Sequence, residues 1–151
     1  MELEPLKKGG QAIGKSVGGH TTKLHVISLN DRIALTCMLS PGDHHDAPEG
    51  VRLLQEFGKH FTNGYMIIDR AYEGKEVRDI VEEQGFISVV PPKKNRKEPW
   101  QYDKTIYKKR NYIERLFRRI KQYRKVYTRY DKLDRMYYGF VCLALIFELL
   151  R

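Results

Sequence analysis

This sequence of 151 residues is poor in cysteine and has no apolar run of the length that crosses a membrane. A spanning helix needs about 20 apolar residues, whereas the apolar stretch at 137–150 is shorter and contains Glu148. The two cysteines, Cys37 and Cys142, both lie in apolar runs. We therefore expect reduced core cysteines in a cytoplasmic protein, which excludes a disulfide framework, a cysteine metal site and a membrane protein.

Acidic residues are few relative to basic ones. The 19 Asp and Glu residues stand against 28 Lys and Arg, which gives a net charge of +9 and a pI near 9.5. This excess favours a polyanionic partner, and nucleic acid is the expected one. The ten tyrosines between the basic residues would suit backbone contacts and stacking on unpaired bases. The alternative is a basic domain without a nucleic-acid partner.

The hydrophobic pattern predicts one α/β domain over 23–151, preceded by a flexible, basic, glycine-rich segment over 1–22. Asp46 is the expected N-cap of the first helix, and Glu49 follows at the spacing of a capping box. Strands are predicted over 24–29, 33–39, 65–68 and 86–90, and helices over 47–60, 74–84, from about 104, and from about 134 to the end.

One face of the third predicted helix combines a carboxylate, two cations and a phenol. At about 100° per residue, the offsets of 0, 3, 7 and 14 place these side chains within roughly one sixth of the helix circumference. They are Tyr107, Arg110, Glu114 and Lys121.

A second acid, Asp69, ends an apolar run, and the carboxyl ends of strands are where α/β sheets bind ligands. Two such acids can share divalent metals, and a metal pair about 4 Å apart can activate a water or a 3′-hydroxyl for phosphodiester chemistry. On this hypothesis Arg110 and Lys121 bind phosphates, and Tyr107 positions the scissile strand. The alternative is an amphipathic helix in which Glu114 merely forms an i,i+4 ion pair with Arg110.

A basic loop follows the strand predicted at 86–90. It is either a solvated charge run or a contact to the DNA backbone, and we favour the contact, which would be sequence-neutral and salt-sensitive. Two further basic residues, Arg118 and Lys125, lie on the Glu114 line of the helix. The loop residues expected to contact DNA are Lys93, Lys94 and Arg96.

Two other motifs have simpler explanations than ligand binding. Residues 9–16 satisfy the P-loop pattern, but that loop needs a strand before it and a helix after it, and neither is predicted here. A P-loop ATPase stays as a third hypothesis. The run 43–46, Asp-His-His-Asp, looks like a metal cluster, but adjacent histidines rarely chelate one ion, so loop and N-cap roles are preferred. His20 and His25 are expected on the sheet surface.

The helix face resembles the Y-x2-R-x3-E-x6-K motif of the DDE transposases of bacterial insertion sequences, without departure. The resemblance extends in the same order over nearly the whole chain from about Gly9. The other matching segments are GGHTTKLHV, SPGDHHD, IIDRAYEG, VVPPKKNR and NYIERLFRRIKQYRKVYTRYDKL.

This resemblance implies an RNase H-like (retroviral-integrase-like) fold with a mixed sheet flanked by helices. It implies that Asp69 and Glu114 are the second and third acids of the catalytic triad, holding Mg²⁺ or Mn²⁺, with two ions in the complete enzyme. Tyr107, Arg110 and Lys121 become contacts to the transposon end. The implied activity is cleavage and strand transfer of insertion-sequence ends into target DNA by a homodimer.

The sequence departs from the family at its start. The family's first Asp lies on the first, central strand of the sheet, but residues 1–8 offer neither an apolar run nor an Asp. No later Asp matches that position. We therefore expect a partial domain whose neighbouring strands have unpaired edges, and which an upstream transposase fragment supplying the first Asp would complete. The alternative function is a non-catalytic DNA-binding fragment or transposition inhibitor.

Overall fold

The computed structural model describes residues 11–17, 19–58 and 63–151, which form an α/β fold as predicted. Short 3₁₀ turns at Arg70–Tyr72 and Lys108–Arg110 join some of the elements. The strands are β1 (Gly14–Ser16), β2 (Gly19–Ser28), β3 (Ala34–Pro41), β4 (Gly64–Ile67) and β5 (Phe86–Val89), and the helices are α1 (Asp46–Phe57), α2 (Lys75–Glu83), α3 (Lys104–Tyr107), α4 (Asn111–Ile120), α5 (Arg124–Tyr127) and α6 (Asp134–Leu149).

Strands β2 and β3 form the predicted antiparallel hairpin, in the register that places His25 opposite Met38. Asn30 closes the connecting turn. Its side-chain oxygen accepts hydrogen bonds from the backbone N–H groups of Arg32 and Ile33, both at 2.9 Å.

The sheet begins earlier than predicted. Strand β1 pairs with the start of β2, so part of the stretch 1–22 that was predicted to be flexible is strand. Glycine at position 14 allows a close approach there, because a Cβ would lie 2.9 Å from the backbone nitrogen of Asp43. Gly19 begins β2 at φ +100°, a backbone conformation that favours glycine. Residues 1–10 lie outside the described residues, and the domain boundary at 22 stays a prediction.

Strands β4 and β5 form a parallel pair joined by α2, with Tyr65 opposite Ile87. The helix follows Gly74 at its N-cap and is followed by Gly85 at φ +86°, which confirms the helix predicted over 74–84. Asp69 lies two residues after the end of β4, because the strand ends at Ile67, one residue earlier than predicted.

Among the described residues the strands form two sheets, in keeping with the unpaired strand edges expected of a mixed sheet that lacks its central strand. One has the antiparallel order β1-β2-β3 and the other is the parallel pair β4-β5. No strand in the described part of the chain pairs with residues 22–28 of β2 on the edge away from β3, or with β4 on the edge away from β5. The sheets stay separate because no described strand joins β2 to β4.

The capping box predicted for α1 is wrong. His45 occupies the N-cap position without a side-chain cap, and Asp46 is the first helical residue. Asp46 pairs instead with Lys23 of β2 at 2.8 Å, and the buried Glu49 binds His44 at 2.7 Å. Asp46 and Glu49 thus bind other side chains, not the backbone groups at the start of the helix.

The helix predicted from about 104 is divided. A 3₁₀ turn separates α3 from α4, and residues 121–123 separate α4 from α5. Tyr107 and Arg110 keep right-handed helical dihedrals, so the chain direction continues through the first junction. The final helix, α6, matches its prediction. Within the described ranges, no helix combines the length and apolar character that a membrane-crossing segment requires.

Two hydrophobic clusters form the core, and β2 contributes to both. Leu24 and Val26 pack against the first cluster, and Ile27 packs against the second. Cys37 belongs to the first cluster and Cys142 packs against it; both thiols are free, which confirms their predicted core role. The first cluster contains Cys37, Leu116, Ile120, Val126, Tyr137, Val141, Ala144 and Leu145, and the second contains Val51, Leu54, Ile68, Val77, Val81 and Val90.

Candidate functional site

The turn after β4, residues 69–73, sends three side chains to different parts of the fold. Asp69 caps the 3₁₀ turn, because its Oδ1 accepts a hydrogen bond from the Ala71 N–H at 3.0 Å. The Tyr72 N–H donates to the Asp69 carbonyl at 2.9 Å. The Asp69 side chain reaches the α3–α4 junction, Tyr72 reaches the hairpin and Glu73 reaches the basic loop.

Arg110 joins the two predicted catalytic acids. Its Nη1 donates to Asp69 Oδ2, and its Nη2 donates to Glu114 Oε1 at 2.6 Å. The Asp69 and Glu114 side chains are 45% and 44% exposed, so solvent reaches both carboxylates. The i,i+4 pair that the structural alternative requires is present, but the same guanidinium also binds an acid from a different part of the chain. The structure therefore brings Asp69 and Glu114 to one cation.

Tyr107 lies beside this cation. The Arg110 guanidinium is 5.8 Å from the Tyr107 ring centroid, and the Tyr102 ring contacts Tyr107 edge-on at 5.5 Å. Burial raises the pKa of Tyr107 further above its ordinary value of 10, and the protonated hydroxyl can donate a hydrogen bond. Lys121 is exposed at the C-terminal end of α4.

Glu73 is buried and holds the basic loop. Its carboxylate accepts hydrogen bonds from Arg96 at 2.9 and 3.2 Å and from the Lys93 backbone N–H at 3.3 Å. Burial by itself raises the pKa of Glu73, but the hydrogen bonds from Arg96 and Lys93 outweigh it and leave that pKa lowered. Trp100 completes the anchor between two guanidinium groups, with Arg78 at 3.8 Å and Arg96 at 4.8 Å from its ring centroid.

Three of the other predicted DNA contacts lie on the surface. Lys94 and Arg118 are exposed. Lys125 is exposed as well, 3.9 Å from Asp131 and 5.1 Å from the ring centroid of Phe140. The Arg96 guanidinium, in contrast, is already engaged by Glu73. The Lys93 ammonium also lies 3.5 Å from Glu73 Oε1, so Lys94 is the freest for a phosphate backbone among the three loop residues predicted to contact DNA.

Sequence reasoning missed the role of His25, which is 2% exposed rather than on the sheet surface. Its ring lies between Ser40 of β3 and Tyr72 of the turn. A signal was present, because the neighbouring Leu24, Val26 and Ile27 place apolar side chains on both faces of β2. A strand buried on both faces leaves no exposed position for a histidine.

The P-loop and metal-cluster motifs do not form the sites that they resemble. Residues 14–16 are a strand rather than the start of a helix, so the P-loop hypothesis loses its structural context. In the run 43–46, the His44 ring lies within hydrogen-bonding distance of Glu49, and Asp46 forms an ion pair with Lys23. Among the described residues, no group of three or more His, Cys, Asp or Glu side chains could hold a metal ion.

Asp69 and Glu114 fit Mg²⁺ or Mn²⁺ as part of a site. Their carboxylate oxygens are the hard donors that these ions prefer. Mg²⁺ is commonly bound by one or two carboxylates, with water and substrate phosphates completing the shell. The Arg110 guanidinium bound to both acids also demonstrates that this position accepts positive charge.

Comparison with known proteins places the chain in a class of enzymes that cut and transpose DNA. Residues 4–147 match the family model described as "Transposase DDE domain". The chain belongs to this family, the DDE transposases, whose members generally use divalent metal ions. It is similar to a putative transposase for insertion sequence element IS6501 from Brucella ovis, with 30% identity over 128 residues that cover 82% of this chain and 94% of the relative. No solved structure matches the chain.

Proposed function

We propose that this chain is the larger part of an RNase H-like transposase catalytic domain, with Asp69 and Glu114 as its second and third acids. The observation that carries the proposal is the shared guanidinium of Arg110. Two carboxylates that meet at one cation are suited to bind a divalent metal together with DNA phosphates. A purely structural i,i+4 pair gives no reason for Asp69 to join it.

The residues around the acids have complementary roles in this proposal. A bound Mg²⁺ or Mn²⁺ pair would activate the attacking oxygen and stabilise the leaving oxygen of the phosphodiester. Arg110 and Lys121 bind phosphates of the transposon end. The Tyr107 hydroxyl donates a hydrogen bond that orients the scissile strand.

The first acid would come from an upstream transposase fragment. Residues 22–28 of β2 and the outer edge of β4 pair with no described strand there, which supports a strand inserted between them, since such a strand would satisfy both rows of backbone groups and merge the two sheets. An Asp on that strand would complete the metal site beside Asp69. The completed enzyme would act as a homodimer on transposon ends and target DNA, in the cytoplasm at the nucleoid.

A basic surface flanks the proposed site. Its contacts would be to phosphates, so binding should be insensitive to sequence and should weaken steeply with salt. Arg96, bound by Glu73, would contribute mainly by fixing the loop. The proposed surface comprises Lys93, Lys94, Arg96, Arg118 and Lys125.

A nicking assay on a supercoiled plasmid carrying the element's ends tests the proposal. The chain is assayed with Mg²⁺ and with the upstream fragment supplied in trans, and Glu114→Gln is compared with the exposed control Glu98→Gln. We expect Glu114→Gln to abolish nicking while a gel shift on the same DNA is unchanged. Retained nicking in Glu114→Gln would remove Glu114 from the catalytic set.

The runner-up function is a non-catalytic DNA-binding protein that inhibits transposition. The high positive charge supports this function equally well. It predicts that the chain shifts DNA but cuts nothing, with or without the upstream fragment. The same assay therefore separates the two functions.

A further inference from the structure

His25 is the centre of a buried hydrogen-bond relay, which consists of Ser40, His25 and Tyr72. Its Nδ1 lies 2.6 Å from the Tyr72 hydroxyl, and its Nε2 lies 2.7 Å from Oγ of Ser40. Ser40 is fully buried, and the Tyr72 ring meets the His25 ring edge-on at 5.8 Å. The relay thus connects the hairpin to the turn that carries Asp69.

The protons can be assigned so that each donor has an acceptor. A neutral imidazole has one donor and one acceptor nitrogen. If Tyr72 donates to Nδ1, then Nε2–H donates to Ser40, and the Ser40 hydroxyl faces the Pro41 carbonyl at 3.5 Å. Burial lowers the pKa of His25 and so favours this neutral ring. Among the charged groups around the ring, Asp46 and Glu49 oppose that lowering, whereas Lys23 and Arg52 add to it.

The Tyr72 ring is also fixed by close packing. A Cβ at Gly50 of α1 would lie 2.6 Å from Cδ1 of Tyr72, so the helix backbone passes directly against the ring. Tyr72 is therefore held by α1 on one side and by the His25 ring on another. Its backbone N–H bonds to the Asp69 carbonyl, which ties the fixed residue to the acid.

We propose that His25 and Tyr72 are positioning residues that hold the Asp69 turn in place through this relay. The Asp69 side chain is nearly half exposed and its other partner is the long side chain of Arg110. When Arg110 engages a DNA phosphate, the relay keeps the turn in the same conformation. The catalytic meaning of this inference rests on the proposed function of Asp69, but the anchoring itself does not.

Backbone amide exchange in the free protein tests the anchor without DNA or metal. Tyr72→Phe removes one hydroxyl and keeps the ring packed against Gly50. The matched control is Tyr137→Phe, which also removes a buried hydroxyl, one that donates to the Val126 carbonyl at 2.9 Å. One hydrogen bond contributes about a tenfold change in a local equilibrium. We therefore expect the backbone amides of residues 71 and 72 to exchange about tenfold faster in Tyr72→Phe than in the unaltered protein. In Tyr137→Phe their exchange rates should not change. Equal exchange in both variants would overturn the inference.

A second pair of variants at His25 separates hydrogen bonding from packing. His25→Asn can keep an acceptor near the position of Nδ1, whereas His25→Leu cannot. We expect slow exchange at Tyr72 to be retained in the Asn variant and lost in the Leu variant, and the opposite order would contradict the relay. If these results hold while Glu114→Gln still nicks DNA, the proposed function fails and the anchor stands.

Discussion

The two acids are supported in different ways by the two clusters of the core. Glu114 lies on α4, two residues before the fully buried Leu116 of the first cluster, so a regular helix sets its position. Asp69 follows Ile68 of the second cluster but lies on an irregular turn, where side-chain hydrogen bonds set its position. An acid on a helix can be placed by backbone and packing alone. An acid on a turn depends on contacts made far away in the sequence.

Deleting a large core side chain from each cluster should have the largest effect on stability. Leu116→Ala in the first cluster and Leu54→Ala in the second each remove a buried leucine. We expect each to lower the free energy of unfolding by about 2–5 kcal/mol, measured by urea denaturation.

Amide exchange in the same variants tests whether the clusters are separate. We expect Leu116→Ala to accelerate exchange mainly in α4 and α6, and Leu54→Ala mainly in α1 and α2. If either variant loosened all four helices equally, the two clusters would be one cooperative core, and the contrast between the acids would lose its basis.

Glu73→Gln should have an intermediate effect, confined to the basic loop. The loss of charge-assisted bonds to Arg96 and Lys93 should cost about 1–3 kcal/mol. Trp100 is the chain's one tryptophan and stacks on Arg96, so its fluorescence reports on the loop directly. Glu98→Gln, at an exposed position of the same segment, is the control and should leave the emission unchanged.

The same anchor should depend on pH. Because the folded-state pKa of Glu73 lies below its ordinary value of 4.5, its stabilising contribution is complete above pH 4.5 and is lost as the pH falls through the lower folded value. We expect the Trp100 emission of the unaltered protein to change in that acidic range. The Glu73→Gln variant should lack this transition, and a transition of equal size there would assign it to another group.

Elements with strong local patterns were predictable from the sequence. The hairpin, α2 and α6 follow from hydrophobic period and glycine punctuation, and the position of Asp69 follows from the apolar run before it. The motif on the helix predicted from about 104 placed Arg110 and Glu114 together, which the structure confirms as an ion pair.

Contacts between distant segments were not predictable in the same way. The pairs His25–Tyr72 and Glu73–Arg96 join residues that share no local period. The long predicted helix is divided at residues 108–110 and 121–123, and α4, α5 and α6 all contribute side chains to the first cluster. The failed capping box has this origin in part, because Asp46 pairs with Lys23 of β2, whereas Glu49 binds its sequence neighbours His44 and Arg52.

Asp46→Asn should have the smallest effect, because it removes a surface ion pair that links β2 to α1. The Lys23 and Asp46 side chains are 36% and 30% exposed, and pairs of this kind contribute about 0.2–1 kcal/mol. The lost negative charge at the start of α1 adds a loss of similar size through the helix dipole. We expect the free energy of unfolding to fall by about 1 kcal/mol at low salt, with the difference shrinking at high salt as charges are screened. A salt-independent loss as large as that of Leu54→Ala would mean that Asp46, rather than the second cluster, holds α1 against the hairpin.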